Sequence, residues 1–418
     1  MSESANPSLA EATRVFLRIG LMSFGGPAAQ IAVMHKELVE ERPWMSEAQF
    51  LNALSFCMLL PGPEATQMAT YAGWRLHGVA GGLIAGLLFV VPGALFMLAL
   101  ALGYALWGAV APVAAAFVGI KAAVVVVVIE ALARIARRAL SGAAHWAIAA
   151  LSFVAIFFFA LPFPAIIAAA GLFGLLSGRE AAPALPTPRP RGLWRTVSIW
   201  LAIWWAPVGL LWVAGATFLT EIGLFFGKLA VVTFGGAYAV LAYLAQAAVS
   251  ERGWLSTAQM MDGLGLAETT PGPLILVTEF VGFLAGFGQG GIALAIAAAL
   301  LTLWVTFVPC YLWIFTGAPY IEWIATRPRL KGALAAITAA VVGVVLNLSL
   351  WFALHVFFAT LTPMRAGPLT LLIPDLASLD WHVVVLALIC ALLLLRLRWD
   401  LLKVLALAAL GGLGLSFL

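Results

Sequence analysis

Residues 23–27 read Ser-Phe-Gly-Gly-Pro and residues 60–64 read Leu-Pro-Gly-Pro-Glu. Both stretches return 210 positions later, as Thr233-Phe234-Gly235-Gly236-Ala237 and Thr270-Pro271-Gly272-Pro273-Leu274. Between them the same offset pairs Val39 with Val249, Glu41-Arg42 with Glu251-Arg252, Trp44 with Trp254, Ser46 with Ser256 and Gln49 with Gln259. Matches at one offset inside 40 positions, several of them Trp, Pro or Gly, mark an internal duplication. Further along, Pro92 pairs with Pro309 and Ala122-Ala123-Val124-Val125 with Ala339-Ala340-Val341-Val342, now at offset 217.

The surrounding composition names the solvent. Of 418 residues 64% are hydrophobic and only 10% charged, and the mean hydropathy is +1.08. A chain of this length cannot hide so much apolar surface from water, so it is read as a membrane protein. Its long apolar stretches suit helices, which satisfy their own backbone in lipid; the two-residue alternation of a β-barrel is not seen. The net charge of +4 follows Lys/Arg in loops and gives no ground for a nucleic-acid partner. Cys57, Cys310 and Cys390 lie singly in apolar segments, which argues for small buried side chains rather than metal or disulfide chemistry. The polar first ten residues carry no signal-peptide pattern.

Loop charge sets an orientation. The patches Arg134/Arg137/Arg138, Arg179 to Arg195, Arg327/Arg329/Lys331 and Arg396/Arg398/Lys403 are placed in the cytoplasm. Thirteen spans follow, at 9–34, 47–76, 79–107, 111–133, 143–161, 163–178, 193–219, 222–249, 256–287, 290–317, 332–360, 380–396 and 399–417. The expected fold is all-α and polytopic: a first repeat over 9–178, a cytoplasmic linker over 179–192, a connecting helix over 193–219 and a second repeat over 222–417. The odd connecting helix inverts the second repeat, with the N-terminus cytoplasmic and the C-terminus periplasmic. Residues 143–161 and 163–178 read either as two short spans or as one interrupted element.

Each repeat carries FGG within its first span and PGP within its second. Proline lacks an N–H and glycine is a poor helix former, so both motifs should interrupt their helices, with Pro27 and Pro63 opening new ones. Ala237 stands where the first copy has Pro27, which predicts a softer break there. Ser46-x-x-Gln49 and Ser256-x-x-Gln259 read as capping boxes at the starts of the second spans. Paired interrupted helices in repeated halves point to a transporter's midplane site, and half-helix N-termini suit an anion. The candidate binding residues are Phe24, Gly25, Gly26, Pro61, Gly62, Pro63, Phe234, Gly235, Gly236, Thr270, Pro271, Gly272 and Pro273. Arg18 and Lys228, equivalent at offset 210, join them as cations that face a cavity. The plainer alternatives are packing kinks at the motifs and an Arg18 that snorkels to the surface.

Glu64 and Glu268 are candidates for a coupling proton, with Glu279 further along; Glu64 equally suits its own helix dipole. Lys121 and Glu130 share a span but lie on opposite faces, which excludes a direct pair. The histidines read as structural and the many tryptophans as anchors and packing. There is no Walker A sequence, zinc-ligand pair or nucleophile elbow, so neither cofactor nor enzyme activity is expected.

The stretches Ser23–Pro27, Val39–Ser46 and Leu60–Glu64, with their second copies, closely resemble the chromate ion transporter family in its long, two-domain form. The resemblance covers nearly all of the chain outside termini and linker. It implies an inner-membrane protein that exports chromate and confers resistance, with sulfate as a structural analogue. The partners expected are such an oxyanion and the bilayer, with a homodimer left open. Other expectations kept in play are a sulfate or other oxyanion transporter, an anion channel and, more remotely, a membrane-embedded lipid-phosphate transferase.

Overall fold

The computed structural model describes residues 7–177, 192–234, 237–321, 323, 327–367 and 369–417. The expected linker falls almost wholly outside the described residues, as do Gly235 and Gly236. The described chain is mostly helical, and its helices begin and end where local chemistry dictates.

Helix α1 (Leu9–Met22) starts at Ser8, whose hydroxyl accepts the Glu11 N–H, and stops before Ser23. Helix α2 (Pro27–His35) opens with proline at its first position, as expected. Helix α3 (Glu47–Cys57) opens on a complete capping box: Ser46 Oγ accepts the Gln49 N–H at 3.3 Å and Gln49 Oε1 accepts the Ser46 N–H at 3.1 Å. After a break over 58–63, helix α4 runs Glu64–Trp107. Helices α5 (Ala111–Ala139), α6 (Ala143–Phe157), α7 (Phe163–Ser177) and α8 (Leu193–Val213) follow.

The second copy repeats the pattern. Helix α9 (Thr217–Val232) stops two residues before Phe234, and α10 (Ala237–Ala245) resumes at the position equivalent to Pro27. The helix ends therefore keep the register of the first copy without the proline; Gly235 and Gly236, where the softer break is expected, lie outside the described residues. Helix α11 (Thr257–Thr269) opens on the Ser256–Gln259 box, with bonds of 3.1 and 2.8 Å. A 3-10 turn at Leu274–Leu276 leads into α12 (Val277–Gly317). The rest comprises α13 (Pro328–Phe357), α14 (Trp381–Ala391) and α15 (Leu401–Leu415).

Both α4 and α12 double back. His77 and Gly78 leave helical geometry in α4, as do Gly290 and Gly291 in α12, with φ of +61° at Gly78 and +73° at Gly291. The arms then pack tightly: a Cβ at Gly73 would lie 2.3 Å from the Gly81 carbonyl oxygen, and one at Gly286 2.7 Å from that of Leu294. The sequence reading placed the first turn correctly and the second slightly early. By length and composition, Glu64–Trp107, Ala111–Ala139, Leu193–Val213, Leu274–Tyr320 and Pro328–Phe357 are apolar enough to cross a membrane.

One correction to an all-helical reading is a two-stranded antiparallel hairpin, β1 (Leu361–Ala366) and β2 (Leu369–Pro374), in the stretch left between spans. Gly367, with φ of +61°, turns it, and Thr370 N–H donates to the Phe158 carbonyl. Short β-forming runs around a glycine turn close locally without needing a helix.

The chain divides into two compact units, 1–102 with 180–240 and 270–328, and 103–179 with 241–269 and 329–418, each drawing on both copies of the duplication. In the first, α8 and α9 pack on α12, and the Trp204 indole donates to the Val305 carbonyl at 2.9 Å. In the second, α5 packs against α11, α14 and α15, with Gly119 and Gly412 permitting backbone contact between α5 and α15.

Candidate functional site

The interrupted helices of the first unit meet through their main chains. The Gly62 N–H donates to the Thr233 carbonyl at 2.8 Å, and the Gly272 N–H donates to the Ser23 carbonyl at 2.7 Å. Donor and acceptor are equivalent in the two bonds: the PGP glycine of one copy reaches the residue before FGG of the other. Each acceptor residue also turns its hydroxyl back into its own helix, Ser23 to Ile19 and Thr233 to Leu229, both at 2.6 Å. Such back-bonding favours a bend at a helix end. Gly62 and Gly272 have φ of +110° and +84°, a region open to glycine and strained for other residues.

The returning arms close over these loops in the same crossed manner. A Cβ at Gly93 would lie 2.1 Å from the Pro271 carbonyl oxygen, while Cys310, its counterpart at offset 217, has its sulfur 3.7 Å from where a Gly62 Cβ would be. Around these contacts a narrow cavity is lined by Pro27, Gln30, Pro63, Glu64, Pro273 and Leu274, among others. It gathers the starts of α2, α4 and the 3-10 turn before α12. Its free volume is about 10 Å³, enough for about one water.

Of the residues expected at the site, Pro63, Glu64 and Pro273 line this cavity. Gly62 and Gly272 make the main-chain bonds beside it, and Pro61 and Pro271 flank them. Thr270 is buried, Phe234 partly so, and Phe24 is exposed. Gly25 contributes its carbonyl to Gln30, while Gly26 precedes α2 as its N-cap. Arg18 pairs with Glu37 at 3.3 Å instead of lining the cavity, and Arg42 also bonds that carboxylate, whose side chain is only 3% exposed. Lys228 is an exposed residue of α9. Glu268 is buried at the end of α11, in the second unit. At the loop before α3, His35 hydrogen-bonds Glu47 at 2.7 Å and Glu40 at 3.0 Å; the Glu47 bond foremost raises its pKa above the ordinary value.

Two groups of paired buried polar residues escaped the sequence reading. Gln30, 1% exposed, donates through Nε2 to both the Gly25 carbonyl at 2.8 Å and the Gly272 carbonyl at 2.7 Å. Gln67, fully buried, donates to the Pro61 carbonyl at 2.7 Å. Their positions in the second copy are Val240 and Val277, which have no amide with which to brace a loop in the same way. The signal was present: a glutamine in an apolar run needs partners, and unwound carbonyls supply them.

The other group lies in the second unit. Lys121 Nζ sits 3.1 Å from Asp262 Oδ1, and the Tyr104 hydroxyl donates to Asp262 Oδ2 at 2.7 Å. The pair joins α5 to α11. Within its own span Lys121 has only Glu130 as an opposite charge, and the structure pairs Glu130 with Arg134 at 2.7 Å. Two isolated opposite charges in apolar spans should have been matched with each other.

Comparison with known proteins agrees with the duplication. The family model described as chromate transporter matches residues 10–175 and 220–415. A probable chromate transport protein of Synechococcus elongatus is 31% identical over 342 residues, covering 81% of this chain and 83% of that protein. The chromate transport protein of Pseudomonas aeruginosa is 33% identical over 339 residues (79% and 77%), and that of Cupriavidus metallidurans 29% over 349 residues (81% of each). No solved structure matches the chain. Two matched regions spanning both copies, and relatives aligned along most of their length, place this multi-pass membrane protein in the chromate transporter family.

Proposed function

We propose that the chain carries chromate, or a closely similar tetrahedral dianion such as sulfate, out of the cell across the inner membrane as a secondary transporter. The observation that carries this reading is the cavity where helix starts from both copies converge beside the Gly62 and Gly272 crossing bonds. Free N–H groups and the positive ends of helix dipoles there favour a dianion without a fixed countercharge. Opening the crossing bonds would release the Gly62 and Gly272 N–H groups toward the guest. Arg18 and Lys228 then act at a distance, drawing anions toward the helices. The names of the Pseudomonas and Cupriavidus relatives support chromate as the substrate. A dianion leaving a negative-inside cell gains about 4.6 kcal/mol per 100 mV, and about 2.3 kcal/mol if one proton leaves with it, which supports the outward direction in either case.

The test is radiolabelled chromate and sulfate flux in proteoliposomes with imposed potential and pH gradients. Saturable flux with counterflow is expected; conductance steps without saturation would assign a channel instead. Arg18→Ala and Lys228→Ala should each lower flux about tenfold by weakening attraction, and normal flux in both would remove the cations from the mechanism.

The inverted arrangement of the repeats belongs to the same proposal. The loops Glu40–Trp44 and Ser250–Trp254 are equivalent in sequence and should face opposite sides. A single cysteine at position 43 should react with an impermeant thiol reagent from outside, and one at 253 only from inside. Labelling of both from one side would refute the inversion.

A further inference from the structure

Glu279 is fully buried, and neither of its carboxyl oxygens has a hydrogen-bond partner among the described residues. It occupies the first turn of α12, about two turns beyond Pro273 of the cavity. A carboxylate at a helix start ordinarily caps free N–H groups, yet this one accepts none.

Its surroundings are on the returning arm of the same hairpin. Glu279, Gly282 and Gly286 follow the three- and four-residue spacing of one helix face. A Cβ at Gly282 would lie 2.3 Å from Thr302 Oγ1, and Gly286 meets Leu294 and Ala295. The antiparallel register thus sets Glu279 level with the turn carrying Thr302 and Thr306. Both threonines are buried, and both hydroxyls lack a partner among the described residues. The elements packed on α12 carry Arg195 on α8 and Glu221 and Lys228 on α9, all exposed, and half-buried Glu64 and His77, buried Tyr71 and exposed Arg75 on α4, while the returning arm carries buried Cys310 and Tyr311. None of these donates to Glu279.

An ionised carboxylate so enclosed has nothing to offset its lost hydration, whereas a carboxylic acid is neutral and buries at far lower cost. A metal cation would need several more oxygen ligands than one carboxylate and two hydroxyls provide; a proton needs one lone pair. We propose that Glu279 is the seat of a proton that binds and leaves together with the oxyanion, making the carrier a proton–oxyanion symporter. The inference rests on the transport reading above. The O–H bond forms on a carboxylate oxygen with a proton from water on one side of the membrane and breaks to water on the other, with no change of oxidation state. Ionised, Glu279 would oppose the dianion approaching the start of its own helix; protonated, it does not. By linkage each ligand then favours the other.

The experiment uses the full-length protein in weakly buffered solution, alkaline enough that the unliganded carboxyl has released its proton, with a pH-indicator dye, to which pH-matched potassium chromate is added. Saturating chromate should draw roughly one proton per chain from solution, and Glu279→Gln should reduce that uptake at least about fivefold. The wild-type measurement needs no variant to fold. Uptake that persists in E279Q but disappears in Glu64→Gln overturns the assignment, as does a requirement for sodium in place of proton uptake. Wild-type protein that exchanges chromate in liposomes with no proton uptake sinks this inference alone. Wild-type protein that exchanges no oxyanion sinks the transport reading first.

Discussion

Gly62→Leu and Gly272→Leu should each reduce oxyanion flux about a hundredfold, the loss expected when reacting or binding groups are displaced by about an ångström. Both glycines hold left-handed backbone, at φ +110° and +84°, where a branched residue is strained by roughly 1–3 kcal/mol. Space is short as well. A Cβ at Gly62 would lie 3.1 Å from Gln67 Nε2, and one at Gly272 would lie 3.3 Å from the Phe89 carbonyl oxygen. The rest of a leucine must push α4 away from the loop, and the crossing hydrogen bonds go with it. Gly215→Leu separates strain from site: Gly215 also has positive φ, at +73°, but nothing lies within 4 Å of its Cβ position. That variant should lose some stability and keep its flux. Normal transport by well-expressed G62L and G272L would leave the loops as kinks of packing alone.

Asp262→Ala should destabilise the protein by about 3–5 kcal/mol, the range for breaking a buried ion pair on one side. The side chains of Lys121 and Asp262 are 17% and 9% exposed, so removing the carboxylate strands an ammonium in an apolar setting. Tyr104 loses its acceptor at the same time. The double variant Lys121→Met with Asp262→Leu should recover most of the loss, because an apolar pair of similar volume often replaces a buried ion pair at little cost. Thermal unfolding in detergent of both singles and the double measures this directly. A D262A midpoint equal to that of the parent would mean that the charges are already solvated.

The interruptions were legible in the sequence because their cause is local. Proline and glycine forbid or disfavour helix wherever they stand, and the Ser46 and Ser256 boxes announce helix starts within four residues. The duplication then told which interruptions belong together. What could not be read was long-range pairing. Gln30 binds a carbonyl 242 residues away, Lys121 meets Asp262, and Arg18 is claimed by Glu37. Each of these depends on which helix faces which, and an apolar run buried on several sides carries little periodicity to say so. The division into units that each mix both copies is hidden for the same reason. The 361–374 hairpin was missed because a search for spans passes over short β-forming runs between them.

The crossing bonds between Gly62 and Thr233 and between Gly272 and Ser23 are written in peptide groups alone. Such a handshake is indifferent to which side chains its partners wear, provided the two donors stay glycine. Twin halves joined this way are free to drift apart in character. One can acquire glutamines while the other settles for valines, and a once symmetric machine becomes lopsided without ever letting go.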